Sequence, residues 1–251
     1  MAAPPDLPFR DHFSTVAEQY ATFRPQYPPA LFAALSSAVR RCGTAWDCAT
    51  GNGQAAVGLA PHFERVIGTD GSASQLAAAL PHPRVRYLCA LAESAPIAAG
   101  SVDLIATAQA LHWFDIAGFF TEARRVLARG GVVAAWCYGL AEIDPAIDAE
   151  VHRFYADTVG PYWPPERTLV ETGYRTVTFP FAELDLPAFA IVQELTLAAF
   201  AGYVRTWSAT QRYVAARGHD PVPDLVHAVA PLWGSATLAV RWPLSVRAGR
   251  G

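Results

Sequence analysis

Between Thr44 and Tyr138 the chain alternates short apolar runs with helix-like stretches, and a glycine turn joins the first run to the first helix. No other feature restricts the fold so strongly. The pattern predicts strands at Thr44–Cys48, Arg65–Thr69, Val85–Ala90, Val102–Thr107 and Val132–Tyr138. Helices are expected between them at Gln54–Phe63, Ser72–Leu80 and Ile116–Leu127. Ser72 is placed to cap the second helix, and Gly130-Gly131 to close the third. Strand, helix, strand in series means a parallel sheet with helices on both faces, because parallel neighbours need a crossover.

The flanks are less regular. Residues 1–42 read as an N-terminal helical segment and 43–140 as an α/β core. Residues 141–251 read as a C-terminal part that caps the site and supplies closing strands, all within one structural domain. The helical pattern that starts at Asp11 is broken once, at Arg24-Pro25-Gln26-Tyr27-Pro28-Pro29, and resumes over Ala30–Arg41 with Leu31, Leu35 and Val39 on one face. After Tyr138, helices are expected at Pro145–Thr158 and Thr196–Trp207, separated by the rigid aromatic loop Gly160–Pro165 and a strand within Phe181–Leu195. Ala236–Val246 alternates like an edge or returning strand.

Composition narrows the chemistry. Net charge is −3, from 19 basic and 22 acidic residues, too balanced for a general nucleic-acid or anionic-membrane binder. All 19 basic residues are Arg, so Schiff-base chemistry and a P-loop lysine are excluded. The four cysteines, Cys42, Cys48, Cys89 and Cys137, stand far apart without histidines at ligand spacing. They predict buried thiols in a reducing compartment and no metal site. No apolar run approaches the roughly 20 residues that span a bilayer, and the N-terminus lacks a signal-peptide pattern. The expectation is a soluble, cytoplasmic monomer or homodimer acting on a small molecule.

The first strand runs into Asp47-Cys48-Ala49-Thr50-Gly51-Asn52-Gly53, and the second ends at Gly68-Thr69-Asp70. Glycines let backbone press against a ligand, and Asp70 is placed for ribose hydroxyls. Gly51-Asn52-Gly53-Gln54-Ala55-Ala56 also satisfies the dinucleotide pattern, so an NAD(P)-dependent oxidoreductase stays open at this point. Three features favour another cofactor: an acid, Asp47, inside the first strand; about 40 residues of helical chain before it; and the polar-aromatic exit Gln109-Ala110-Leu111-His112-Trp113-Phe114-Asp115 after the fourth strand.

The Asp47–Gly53 segment resembles the acidic-x-Gly-x-Gly-x-Gly motif of class I S-adenosylmethionine-dependent methyltransferases. Tyr20–Pro28 together with Gln109–Asp115 resembles the trans-aconitate-methyltransferase-like group within them. The resemblance implies a Rossmann-like, seven-stranded sheet with a final antiparallel strand, S-adenosylmethionine as cofactor and S-adenosylhomocysteine as product. It places Asp47, Ala49, Thr50, Gly51, Asn52 and Gly53 around the methionine part, Asp70 and Gly71 at the ribose, and Ala92 and Glu93 at the adenine. Tyr20 and Arg24 fall at the methionine carboxylate, which wants a forked partner. Gln109 and Ala110 fall at the transfer point through their carbonyls. Ala49 stands where the family has its first glycine, and Leu91 where it often has an acid.

His112 is a candidate base, set against a packing role, and Trp113 a candidate wall for the acceptor. The function implied is methyl transfer to a small molecule, on a carboxylate oxygen. An N-methyltransferase of a heteroaromatic metabolite is the alternative, with Trp113, Trp163 and Trp207 to stack on the ring and Arg205 or Arg212 to hold an acid if the acceptor is one. A non-catalytic module that kept the cofactor fold has Ala49 and Leu91 as its support.

Overall fold

The computed structural model describes residues 24–251. The helical reading from Asp11 to residue 23, and Tyr20 within it, lies outside the described residues.

Successive residues of a strand face opposite ways, and β1 (Thr44–Cys48), buried throughout, uses both faces. Ala45 joins a cluster with Leu31 and Leu35 of α1 (Pro29–Ala38) and Leu59 of α2 (Gln54–Leu59). Trp46 joins Phe119 and Val126 of α4 (Ile116–Val126) on the other side. Beside β1 lie β2 (Arg65–Asp70) and β3 (Val85–Cys89) on one flank, with α3 (Ala73–Ala77) between them in sequence, and β4 (Val102–Ala108) and β5 (Leu127–Tyr138) on the other. All five are parallel neighbours in the order β3-β2-β1-β4-β5. The final strand, β8 (Leu238–Arg250), runs antiparallel against β5, as the alternation of the C-terminal segment predicts.

Two short strands cover the far edge of β8. Ala182–Glu183 (β6) pairs with Arg250 and Gly249, and Phe189–Leu195 (β7) pairs with Leu244–Leu238. They follow one edge path, continued by the Leu184 amide on the Ala248 carbonyl and broken around Pro187, which has no amide to give. The eight strands thus occupy seven positions in the sheet.

Residues 141–251 add a second cluster. Here α5 (Pro145–Arg153) packs with α7 (Leu197–Arg205) and α9 (Val222–Trp233) around Phe154, Trp207, Trp233 and Trp242. Between them lie a π turn at Phe154–Thr158, α6 (Arg167–Glu171) and α8 (Ser208–Arg217). Neither α8 nor α9 is legible in the sequence pattern, since α9 carries Pro231 and α8 buries only Ala209 and Thr210.

Three expectations need correction. α2 stops at Leu59, two residues before Pro61, instead of reaching Phe63. Gly130-Gly131 does not close α4, because Leu127 is already extended and starts β5. The glycines instead form a bulge: Val102 pairs with Leu127 and Leu104 with Val132, and Gly130 has φ 75°. Of the cysteines, Cys48 and Cys137 are buried, whereas Cys89 is exposed and Cys42 half-buried.

Where β1 and β4 end, the chain turns sharply through residues that are not glycine. Ala49 has φ 56° and Gln109 φ 54°. A Cβ in this region crowds the following carbonyl. Ala49→Gly is expected to stabilise the protein by about 0.5–1 kcal/mol, the strain relieved less glycine's larger unfolded-state entropy. A higher urea midpoint with an unchanged m-value would show it; a lower midpoint would refute the strain.

Candidate active site

The turn after β1 is held by its neighbours. The Thr50 amide donates to the Thr69 carbonyl at 2.8 Å, the Gly51 amide to Asp70 Oδ2 at 2.8 Å, and the Leu80 amide to the Asn52 carbonyl at 2.9 Å. Gly51 and Gly53 have φ 55° and 84°. A Cβ on Gly53 would fall 2.1 Å from the Tyr87 hydroxyl, so only glycine fits beneath that ring, whereas at Gly51 it would meet nothing closer than Gln75 Oε1 at 3.8 Å. Gly51 therefore leaves an open surface of backbone. The other oxygen of Asp70 accepts from the Ser72 amide at 2.8 Å. Asp70 thus clamps the glycine turn to the start of α3, a structural role beside the ribose contact the sequence suggests. The Ser72 cap is present as expected.

Asp47 lies beneath this turn, fully buried on the α1–α2 face. Thr50 Oγ1 donates to its Oδ2 at 2.5 Å, and its Oδ1 has no hydrogen-bond partner among the described residues. Burial raises its pKa to about 7, against the partial pull of the Thr50 bond. A buried acid with an orphaned oxygen suits a cationic ligand group at the carboxyl end of β1.

At the end of β4 the Gln109 amide donates to the Trp136 carbonyl at 2.7 Å. Its side chain then pairs with the Tyr138 backbone, Nε2 donating to the carbonyl at 3.1 Å and Oε1 accepting the amide at 2.8 Å. The Ala110 carbonyl accepts the Trp113 amide in the short turn Leu111–Trp113. That turn places His112 and Trp113 beside Gln109 in a pocket completed by Tyr138, Trp163, Arg167, Tyr203 and Trp207.

Arg24 belongs to both halves of the site. Gln54, the first residue of α2, donates to the Pro25 carbonyl at 3.0 Å and so ties this segment to the glycine turn. The guanidinium reaches the pocket, donating to the Tyr138 hydroxyl at 3.1 Å and the Thr206 carbonyl at 3.3 Å.

His112 Nδ1 is bonded to the hydroxyl of fully buried Tyr174 at 3.0 Å. Burial, with the charges of Arg167 and Arg24, lowers its pKa to about 3. It is a neutral imidazole near pH 7, and so low a pKa makes it a weak proton acceptor. Glu93 turns towards α4, its Oε1 accepting the Asp115 amide at 2.9 Å. That bond ties Glu93 to the N-terminal end of α4, beside the adenine role the resemblance implies. Ala92 is buried beside it, and Gly71 lies at the β2 exit, its carbonyl 3.7 Å from Cys89 Sγ. Arg205 pairs with Asp220 at 2.7 Å and does not line the pocket, nor does Arg212. Arg167 is the cation the sequence reading missed. Its signal was the adjoining Trp163-Pro164-Pro165, which fixes the chain just before it.

A glycine turn and an acid at the topological switch of a doubly wound sheet define a nucleotide-type cofactor site. Residues 46–135 match the family described as "Methyltransferase domain". A Dictyostelium discoideum protein described as a methyltransferase is 32% identical over 226 residues, covering 88% of this chain and 86% of its own. A Saccharomyces cerevisiae protein described as an S-adenosylmethionine-dependent methyltransferase is 28% identical over 128 residues, 47% of this chain and 44% of its own. Among solved structures, a protein of Anaeromyxobacter dehalogenans described as a type II methyltransferase is 46% identical, with a TM-score of 0.85 over 91% of this chain and 98% of its own. The chain belongs to the class I S-adenosylmethionine-dependent methyltransferases. The oxidoreductase alternative is not favoured. Among the described residues there is no helix long and apolar enough to cross a membrane.

The Asp47 shift makes stability depend on pH. Its pKa rises on folding from 3.8 to about 7, so the folded state holds more protons within that window and stability falls as pH rises through it. Asp47→Asn is expected to melt higher than the unaltered protein at about pH 8.5, with a smaller gap at about pH 4.5. A gap independent of pH would show that Asp47 does not titrate there.

Proposed function

We propose that the protein moves the methyl group of S-adenosylmethionine to a carboxylate oxygen of a small organic acid, releasing S-adenosylhomocysteine. The observation that carries this reading is the charge of the pocket beside Gln109. Arg167 lines it, beside the Arg24 assigned below to the cofactor's own carboxylate, and no Asp or Glu does among the described residues. The likeness of Gln109–Asp115 to the trans-aconitate-methyltransferase-like group points the same way. We assign the enzyme to the cytoplasm, as a monomer or homodimer.

The cofactor fits the residues present. The open backbone of Ala49, Thr50, Gly51, Asn52 and Gly53 takes its methionine part, and the orphaned Oδ1 of Asp47 faces the ammonium. Asp70 and Gly71 take the ribose, Ala92 and Glu93 the adenine edge, and the Arg24 fork the carboxylate, with Tyr20 nearby in sequence. The sulfonium supplies a methyl carbon already activated, its S–C electron pair returning to sulfur as the C–O bond forms.

The protein then has to align and desolvate. Gln109 and Ala110 place backbone at the transfer point, and Trp113 closes its side. Holding two reactants in line is worth roughly 7–11 kcal/mol, enough without a base. An acceptor carboxylate with an ordinary pKa near 4 is ionised at neutral pH and loses no proton. His112, neutral above about pH 3, serves it only as a hydrogen-bonding group. N-methylation of a ring nitrogen that carries a proton would need a base, and His112 is a poor one.

Calorimetry with S-adenosylhomocysteine and with NAD tests the cofactor; binding of NAD alone would end this reading. Arg24→Ala should weaken S-adenosylhomocysteine binding by about 1.5–3 kcal/mol, and Arg24→Lys should recover only part, since an ammonium has no fork. Equal affinity in Arg24→Ala and the unaltered protein would remove Arg24 from the site. With labelled methyl donor, saturating cofactor and a panel of small acids, the rate should stay flat from about pH 6.5 to 9. The label should leave the product as methanol in mild alkali. A rate that climbs with pH, or a base-stable product, selects N-methylation.

A further inference from the structure

Arg167 stands at the start of α6 and lines the pocket. Its Nε donates to the Tyr155 hydroxyl at 2.9 Å, and that hydroxyl donates in turn to Glu171. Burial pushes the Tyr155 pKa up to about 12, so the hydroxyl keeps its proton and keeps the bond to Glu171. The guanidinium carbon lies 4.5 Å from the centre of the Trp163 ring and 5.5 Å from that of Tyr155. Stacking and the Nε bond fix the plane of the group. Among the described residues its two terminal nitrogens make no hydrogen bond, and the group enters no ion pair.

A fixed guanidinium with an unused fork is half of a bidentate carboxylate contact. The walls beside it are flat. Tyr155 and Trp163 lie 4.9 Å apart, and Trp163 and Trp207 5.9 Å apart, by ring centres. Trp113 closes the Gln109 side. Aromatic rings so placed favour a planar partner over a puckered one of equal volume. Tyr155 falls within the π turn at Phe154–Thr158, a form common at functional sites.

We infer that Arg167 selects the acceptor, closing its fork on the carboxylate of a flat aromatic acid whose ring lies among Trp113, Trp163 and Trp207. This rests on the methyl-transfer reading and narrows its substrate to one class. A fork takes one lone pair from each carboxylate oxygen, and each oxygen has another, so the contact leaves a nucleophile free.

The test uses benzoate as probe, with benzamide as its neutral counterpart and cyclohexanecarboxylate as its puckered one. Each is titrated calorimetrically into the full-length protein saturated with S-adenosylhomocysteine. Benzoate should bind at least about tenfold more tightly than either, the scale of one charge-assisted contact or one good ring stack. Arg167→Gln should lose about tenfold or more in benzoate affinity and Arg167→Lys less, while S-adenosylhomocysteine affinity stays within about twofold and shows both variants folded. Benzamide or cyclohexanecarboxylate binding as well as benzoate overturns the proposal, and so does full benzoate affinity in Arg167→Gln. These results leave the methyl-transfer reading standing if S-adenosylhomocysteine still binds. Failure of the unaltered protein to bind S-adenosylhomocysteine overturns that reading and this one with it.

Discussion

The sheet reverses direction between β1 and β4. After β1 the chain builds outward through β2 and β3, then crosses back to start again at β4 on the other side. Connections on the two sides leave in opposite directions, so a crevice opens at the carboxyl ends of β1 and β4. Everything functional depends on it. Both strands must bend out of the sheet at once, and both do so through left-handed residues, Ala49 and Gln109. Asp47 lies beneath the first bend, and the His112 turn follows the second.

The crevice is electrically divided. On the β1 side the nearest ionisable groups are acids, Asp47 buried and Asp70 at the β2 exit. On the β4 side they are Arg24, Arg167 and a histidine held neutral by burial and by both arginines. This separation is what the proposed pairing of a sulfonium donor with an anionic acceptor asks of the crevice. The attraction between such ligands is strongest where water is excluded. Arg24 spans the boundary, anchored through Pro25 to α2 and through its guanidinium to Tyr138.

Periodicity made the core legible. Burial on both faces leaves β1 apolar apart from Thr44 and Asp47, and each strand from β1 to β5 overlaps its expected position. The glycine turn was equally plain, because two glycines between a strand and a helix mark a tight turn through positive φ, which both adopt. The errors are local. A Gly-Gly pair looks the same in a helix terminator and in a bulge, and only pairing with β4 distinguishes them. The C-terminal helices were harder because aromatic side chains scattered through Trp163, Tyr203 and Trp242 carry no period of their own. They cohere only through contacts far apart in sequence. Arg167 was missed for the same reason: its partners, Tyr155 and the pocket, are brought to it by the fold. Glu93 shows another limit, since its bond to the Asp115 amide, 22 residues on, carries no signal in the sequence.

Gln109 separates two things that usually coincide in a strand, the path of the chain and the path of its hydrogen bonds. Its backbone leaves the sheet while its side-chain amide stays, giving Tyr138 the donor and acceptor that one more strand residue would have provided. β5 is therefore capped without being lengthened, and the main chain is released into the crevice with no rung of the ladder left empty. Glutamine alone has the reach and both polarities for this. Glutamate would set a carboxylate against the Tyr138 carbonyl, and asparagine would fall a methylene short. The residue is a splice: it ends one strand, lets the neighbour run on, and frees the chain to change direction where the chemistry requires it.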